Sequence, residues 1–302
     1  MDSIDRGILL DLRRNCRITY SDLAEHHGIT ATAIRKRVAS LEETGVIREY
    51  VVELSRAMVN SEIAFILIYT DKSIDDDSFA NLVFEYPLVY QVHYDSFGTC
   101  IVLAEYSGIE QLSDLSTHLR RLESVRDMEV HTLPAPRGKN RPLTNLQLRV
   151  LAALLGDPKM RVSEIAEKSG LTVRRVRRIL DELVNQESVL FTVTLAMSAS
   201  DATFIAFRLT WDTKAITPEK IRETLQDRYP NEFYNLSYSA LEPVMWCDFL
   251  LEHIKDAEPI TSFFRSMPSV NLRNTIMVYP PKKIRRPRRE ALRKMIEQAG
   301  HL

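Results

Sequence analysis

Four arginines in five residues, Arg174, Arg175, Arg177 and Arg178, follow Thr172 in a segment where Val173, Val176 and Leu180 recur at helical spacing. A helix over this segment turns those apolar residues inward and leaves the arginines on the solvent side. Guanidinium is planar and permanently charged, and its rigid fork pairs bidentately with phosphate or with the edge of guanine. Four exposed arginines in so short a span exceed what helix solubility requires, so contact with a polyanion is expected. A thinner version of the pattern stands at Thr30, Thr32, Arg35 and Lys36, with Arg37 behind. The width of the DNA major groove admits an α-helix, and residues early in such a helix must then carry donors, acceptors and positive charge. Double-stranded DNA is the expected partner, and these ten residues are the candidate contacts. The competing reading is a pair of solvated helix faces on a protein-interaction module.

The elements that hold these residues occur twice. The stretch from Asp5 to Ile47 reappears from Gln147 onward, 142 positions later and without a gap. Ile8, Leu9 and Leu12 correspond to Val150, Leu151 and Leu154. Leu23-Ala24 corresponds to Ile165-Ala166, Gly28-Ile29-Thr30 to Gly170-Leu171-Thr172, and Ile34, Val38 and Leu41 to Val176, Leu180 and Leu183. Matched positions are apolar residues at helical spacing and the turn residues between helices, so a fold is being repeated. In the first copy Asp2 or Ser3 caps a helix to about Arg14, and Thr19 or Ser21 caps a short one through His26. Gly28 suits the left-handed turn that ends it. Thr30 caps a third helix to about Thr44, closed by Gly45, and Val46–Val52 has strand composition. That order is a winged helix-turn-helix. The third helix of the second copy lacks a closing glycine.

Each helical copy precedes a β-α-β-β-α-β pattern. Strands are expected at 63–69, 88–94, 99–106 and 126–133 with helices at 78–85 and 109–122, then strands at 203–211, 232–238, 244–251 and 270–279 with helices at 218–229 and 254–264. The fold class is therefore α+β: two winged helix-turn-helix domains, 1–53 and 143–192, alternate with two ferredoxin-like domains, 60–133 and 202–280. Residues 134–142, rich in proline and basic side chains, are read as a linker. Residues 281–302 are read as a basic tail with a helix from about Pro287 to Gln298.

The net charge of −1 conceals segregation: residues 53–133 hold 14 acidic side chains against 5 basic, and 281–302 hold 8 basic against 2 acidic. Lys282, Lys283, Arg285, Arg286, Arg288 and Arg289 are thus candidate phosphate contacts, which would raise affinity without reading sequence. A tail lying against the acidic domain, or simply solvated, is the alternative. Asp75-Asp76-Asp77 reads as a solvated loop. The seven histidines are scattered, and His93 in a strand reads as a packed residue. GxGxxG, GxxxxGK[ST] and HExxH are all absent, and Cys16, Cys100 and Cys247 form no CxxC pair. No catalytic residue, metal site or cofactor is expected, and the chain is read as no enzyme. With no run of 18 apolar residues and no basic-then-apolar start, neither a membrane span nor a secretory signal is expected, and reduced thiols suit a cytoplasmic protein.

Several runs resemble the Lrp/AsnC family of feast-famine transcriptional regulators: Ile4-Asp5-Arg6-Gly7-Ile8-Leu9, Arg17 through Ala24, and Arg35 through Ile47. The resemblance covers nearly the whole chain as two tandem copies, more loosely in the second. It implies sequence-specific DNA binding by the helix-turn-helix units and pairing of the ferredoxin-like domains, so that one chain acts as an internally duplicated pseudo-dimer. It also implies homo-oligomers through those domains. The family's effector loop carries a Gly-Asp-aromatic-Asp run. Here Ser96, Phe97, Gly98 and Thr99 stand there, and Ala240-Leu241-Glu242-Pro243 in the second copy, so a small-molecule effector is the weakest of the implied partners. Siroheme decarboxylases resemble two such halves joined, and form the alternative. His93-Tyr94 weakly matches a histidine-tyrosine stretch of theirs, but Thr99–Val102 does not continue it. Trp246 lies in the matching strand of the second copy, where 232–238 holds no histidine.

Overall fold

The computed structural model describes residues 1–302. Helices α1 (Ser3–Arg14), α2 (Tyr20–His27) and α3 (Ala31–Glu43) lead to β1 (Ile47–Leu54). Then come β2 (Glu62–Thr70), α4 (Asp76–Glu85), β3 (Val89–Tyr94), β4 (Cys100–Tyr106), α5 (Gly108–Arg120) and β5 (Val125–Leu133). The second copy runs α6 (Asn145–Leu154), α7 (Val162–Ser169), α8 (Val173–Gln186), β6 (Val189–Leu195), β7 (Thr203–Trp211), α9 (Pro218–Arg228), β8 (Phe233–Tyr238), β9 (Val244–Leu251), α10 (Ala257–Ser266) and β10 (Val270–Met277). A two-residue strand β11 (Lys283–Ile284) and helix α11 (Pro287–Gln298) end the chain. No helix is long and apolar enough to cross a membrane.

The elements gather into two compact units. One comprises residues 1–7, 62–135 and 200–285; the other, 8–61, 136–199 and 286–302. In the first, the strand orders β3-β4-β2-β5 and β10-β7-β9-β8 are the same ferredoxin-like arrangement, all antiparallel. Each sheet buries one face under its own two helices, around Phe79, Val83, Leu115 and Leu119 in one and Ile221, Leu225, Ile260 and Phe264 in the other. The opposite faces meet, with Leu67 and Ile101 against Val244 and Trp246, joined by Phe65 and Tyr69. Trp246 lies 4.5 Å from the Phe65 ring and 4.9 Å from that of His131. Across this contact Arg208 reaches Glu129, Nη2 to Oε2 at 2.6 Å and Nη1 to Oε1 at 3.3 Å. Burial pushes the Glu129 pKa up, but the Arg208 and Tyr69 hydrogen bonds outweigh it and hold the carboxyl below its ordinary range.

The second unit holds both helix-turn-helix copies. Their strands β1 and β6 pair antiparallel over Ile47↔Leu195 to Leu54↔Val189. With an offset of 142, Thr192 is the counterpart of Tyr50 and Phe191 that of Glu49, so the pairs from Glu49↔Thr194 to Val52↔Phe191 are related by a local two-fold axis, which a bulge between Ile47 and Glu49 breaks at the end of the ladder. The linker is docked rather than free. Arg137 accepts from Ala57 N, Lys139 N donates to the Glu187 carbonyl, and Ser55 Oγ donates to the Lys139 carbonyl at 3.2 Å.

The third helix of the second copy closes without a glycine, as expected: Glu187, the counterpart of Gly45, itself adopts the left-handed conformation at φ 53°. Two expectations need correction. Helix α11 is not a solvated basic tail. Leu292 and Ile296 are fully buried in the core formed by α6, α8 and β1, with Ala291 and Met295 beside them, a burial that stabilises by about 1.5–3 kcal/mol per side chain. Finally, the helix expected from Ile254 begins at Ala257, after a short 3-10 turn over Ile254–Asp256.

Candidate nucleic-acid interface

Helices α3 and α8 start the same way. Gly28 and Gly170 take φ of 64° and 60°, conformations that would strain a side-chain-bearing residue, and turn the chain sharply. Thr30 then accepts from Ala33 N at 3.1 Å and Thr172 from Arg175 N at 3.3 Å, capping α3 and α8. Beneath, Ile34, Val38 and Leu41 are buried in the first copy and Val176, Ile179, Leu180 and Leu183 in the second. Facing outward on α3 are Thr32, Arg35 and Lys36, with Arg37 half-buried; on α8 they are Arg174, Arg175, Arg177 and Arg178. The Arg35 guanidinium lies 5.8 Å over the Tyr20 ring, and Arg178 Nε is 3.4 Å from Glu182. Arg174, Arg175 and Arg177 are exposed and have no intramolecular ion pair. Val173 does not turn inward: it is 39% exposed at the helix start, and Ile179 takes the inner position. Each threonine hydroxyl accepts its cap hydrogen bond and keeps its own O–H to donate.

One basic residue was invisible to the repeat. Arg149, exposed on α6, brings its guanidinium to the turn before α8, where a Cβ on Gly170 would meet Nη2 at 2.6 Å. Its counterpart in the first copy is Gly7, so the symmetry gave no hint of it.

The tail behaves differently from a phosphate-tracking arm. Arg288 is buried, donating Nη1 to the Leu54 carbonyl at 2.7 Å and pairing with Glu53. Arg286 binds Glu49 and Thr194, and Arg289 bridges Glu49 (3.0 Å) and the Leu155 carbonyl (2.9 Å). Those arginines hold Glu49 below the usual carboxylate range despite the opposing effect of its burial. In the other unit Arg285 donates to the carbonyls of Phe84, Tyr86 and Pro87, and Lys282 pairs with Asp77 at 2.9 Å. Lys283 forms part of β11, added to the edge of β3. Five of the six candidate phosphate contacts are thus engaged within the chain, because the carboxylates and open carbonyls lie where α11 and β11 dock.

The loop Ser96–Thr99 is organised by Asp95, whose Oδ1 accepts from Phe97 N at 2.8 Å and Thr99 N at 2.9 Å. It is also strapped from outside: Ser96 N donates to the Met277 carbonyl, Tyr279 N to that of Tyr94 and Lys282 N to that of Val92. Phe97 stays exposed. His93 touches the same strap, Nδ1 lying 3.2 Å from the Tyr279 carbonyl, and burial pushes its pKa down. Asp75 caps α4, Asp76 pairs with Lys72 and Asp77 with Lys282, which accounts for that acidic run. The three cysteines are buried and free.

A family model described as winged helix-turn-helix DNA-binding matches residues 1–48 and 143–187. An HTH-type transcriptional regulator of Pyrococcus horikoshii is 44% identical over 50 residues, 17% of this chain and 32% of that protein. LrpA of Mycobacterium tuberculosis, an HTH-type transcriptional regulator, is 28% identical over 130 residues, 42% of this chain and 85% of its own. The chain thus spans about a third of the length of this Pyrococcus relative. Among solved structures the siroheme decarboxylase NirDL covers 99% of this chain and 100% of its own, with a TM-score of 0.54 and 14% identity, a likeness of fold. The chain thus carries two winged helix-turn-helix DNA-binding domains, each followed by a βαββαβ sheet, and is similar to Lrp-type transcriptional regulators.

Proposed function

We propose that the protein is a sequence-specific, double-stranded-DNA-binding transcriptional regulator of Lrp/AsnC type, in which one chain supplies two unequal reading heads. The observation that carries this is the exposed arginine face of α8, set on the same glycine turn and threonine cap as the face of α3. Arg174, Arg175, Arg177 and Arg178 grip one half-site, and Thr32, Arg35 and Lys36 the other, with Arg37 in support. Because the two faces differ, the operator need not be a perfect palindrome. Lys283 adds at most a peripheral phosphate contact. Further association of chains through the βαββαβ domains belongs to the same reading.

Replacing the four α8 arginines with alanine tests it. Each phosphate contact contributes roughly 0.9 to the slope of log affinity against log salt, so the slope should flatten by up to about 3.6. Unchanged affinity and slope would remove α8 from the interface.

A tetrapyrrole enzyme like the siroheme decarboxylase is the second reading, favoured by the full-length likeness of fold to NirDL. Against it, His93 is tied to the strap through Tyr279, and Trp246 is packed between Phe65 and His131. Mixing with an iron tetrapyrrole should leave its absorption spectrum unchanged. A shifted spectrum that is lost in His93→Ala would favour the enzyme.

A further inference from the structure

Asp11, His26 and His27 converge where the end of α2 meets α1. Asp11 Oδ2 lies 2.7 Å from His26 Nδ1 and 3.0 Å from His27 Nε2, and the three atoms all fall within 4.8 Å of one another. We propose that these three side chains form a binding site for one divalent transition-metal ion of the zinc class.

The donor set and spacing fit. Zinc takes imidazole nitrogen and carboxylate oxygen at roughly 2.0–2.2 Å, so in its usual tetrahedral geometry neighbouring ligand atoms stand about 3.3–3.6 Å apart. The two histidine-to-aspartate separations, 2.7 and 3.0 Å, are a few tenths of an ångström shorter, so the side chains part slightly to admit the ion. Asp11 and His27 are almost fully buried, each 7% exposed at the side chain, so two ligands are held in place. His26, 60% exposed, is the one that swings in, and water completes the coordination. The nearest opposing charge, Arg14, takes the other carboxylate oxygen at 3.3 Å and is itself 59% exposed, leaving Oδ2 to the ion and free to turn away. The last turn of α2 also presents its carbonyl end, which favours a cation.

The duplication supplies an internal control. At the matching positions the second copy has Ala153, Lys168 and Ser169, and α6 and α7 fold as α1 and α2 do. Ser169 closes its space by donating to the Ile165 carbonyl at 2.6 Å. The fold therefore needs neither the carboxylate nor the imidazoles, and their convergence in one copy alone calls for another cause. Gly28 follows His27 directly and leads to Thr30, so an ion here fixes the angle at which α3 leaves the turn.

The test is titration of the full-length, chelator-treated protein with Zn²⁺ by calorimetry, with Co²⁺ as an absorbing substitute. One ion per chain is expected, with visible ligand-field bands for Co²⁺ characteristic of nitrogen and oxygen ligands. His26→Ala alters an exposed side chain, so its metal-free circular dichroism and melting should match the parent while its Zn²⁺ affinity falls at least about tenfold. His27→Gln should behave likewise for affinity. Failure to bind near one ion per chain, or binding that survives both substitutions together, would overturn the site.

Discussion

Arg288→Met should cost the second unit about 3 kcal/mol of stability. The arginine is buried where α11 meets β1, with Glu53 as its ion-pair partner and the Leu54 carbonyl 2.7 Å from Nη1. Methionine keeps the apolar stem and removes the charge, so Glu53, 6% exposed at the side chain, is left almost alone. Breaking one side of a buried pair costs about 3–5 kcal/mol, most of it the uncompensated charge. Arg286 Nη1 stays 3.9 Å from Glu53, which places the cost near the lower end. At roughly 3 °C per kcal/mol for a unit of this size, the melting temperature should drop about 9 °C. Glu53→Gln in the same chain removes the stranded charge and should restore at least about half the loss, a coupling that a double-mutant cycle in calorimetric or urea unfolding reads directly. A single variant within about 1 kcal/mol of the parent, or effects that simply add, would refute the clamp.

Other perturbations have equally definite outcomes. Gly138→Ala places a Cβ 2.5 Å from the Glu187 carbonyl and 2.6 Å from Ser55 Cβ at φ +70°, and should destabilise by about 1–3 kcal/mol in urea unfolding, whereas Gly156→Ala, with nothing within 4 Å, should be nearly silent. Glu129 titrates below its ordinary range in the folded state, so its stabilisation is complete at neutral pH, above the unfolded value near 4.3, and is lost as pH falls through the folded value. Acidification should therefore expose Trp246 and red-shift its emission, and Glu129→Gln should flatten that response; an unchanged profile would contradict it.

What was legible in the sequence followed from local rules. Gly28 and Gly170, Thr30 and Thr172 each dictate their own turn or cap, so helices and reading faces could be placed in both copies. Strands such as Thr203–Trp211 and Val244–Leu251 carry their own β-branched and aromatic signal. What was missed depends on distant partners. The arginines of the tail outweighed the apolar spacing of Ala291, Leu292, Met295 and Ile296, whose core lies more than a hundred residues away in sequence. Lys283-Ile284 is too short to announce a strand and becomes one only against β3. Val173 looked buried by periodicity, yet a helix's first residue overhangs its end. Asp11 is separated from His26-His27 by 15 residues and a helix junction, and matches no metal motif.

The most direct measurement is selection of bound fragments from a random duplex pool by the intact protein, followed by salt titration of the winners. An enriched motif of two different half-sites, one or more helical turns apart, is expected, with the α8 variant losing one half and the Arg35→Ala variant weakening the other. Binding without enrichment, or no binding at all, would contradict a sequence-reading regulator.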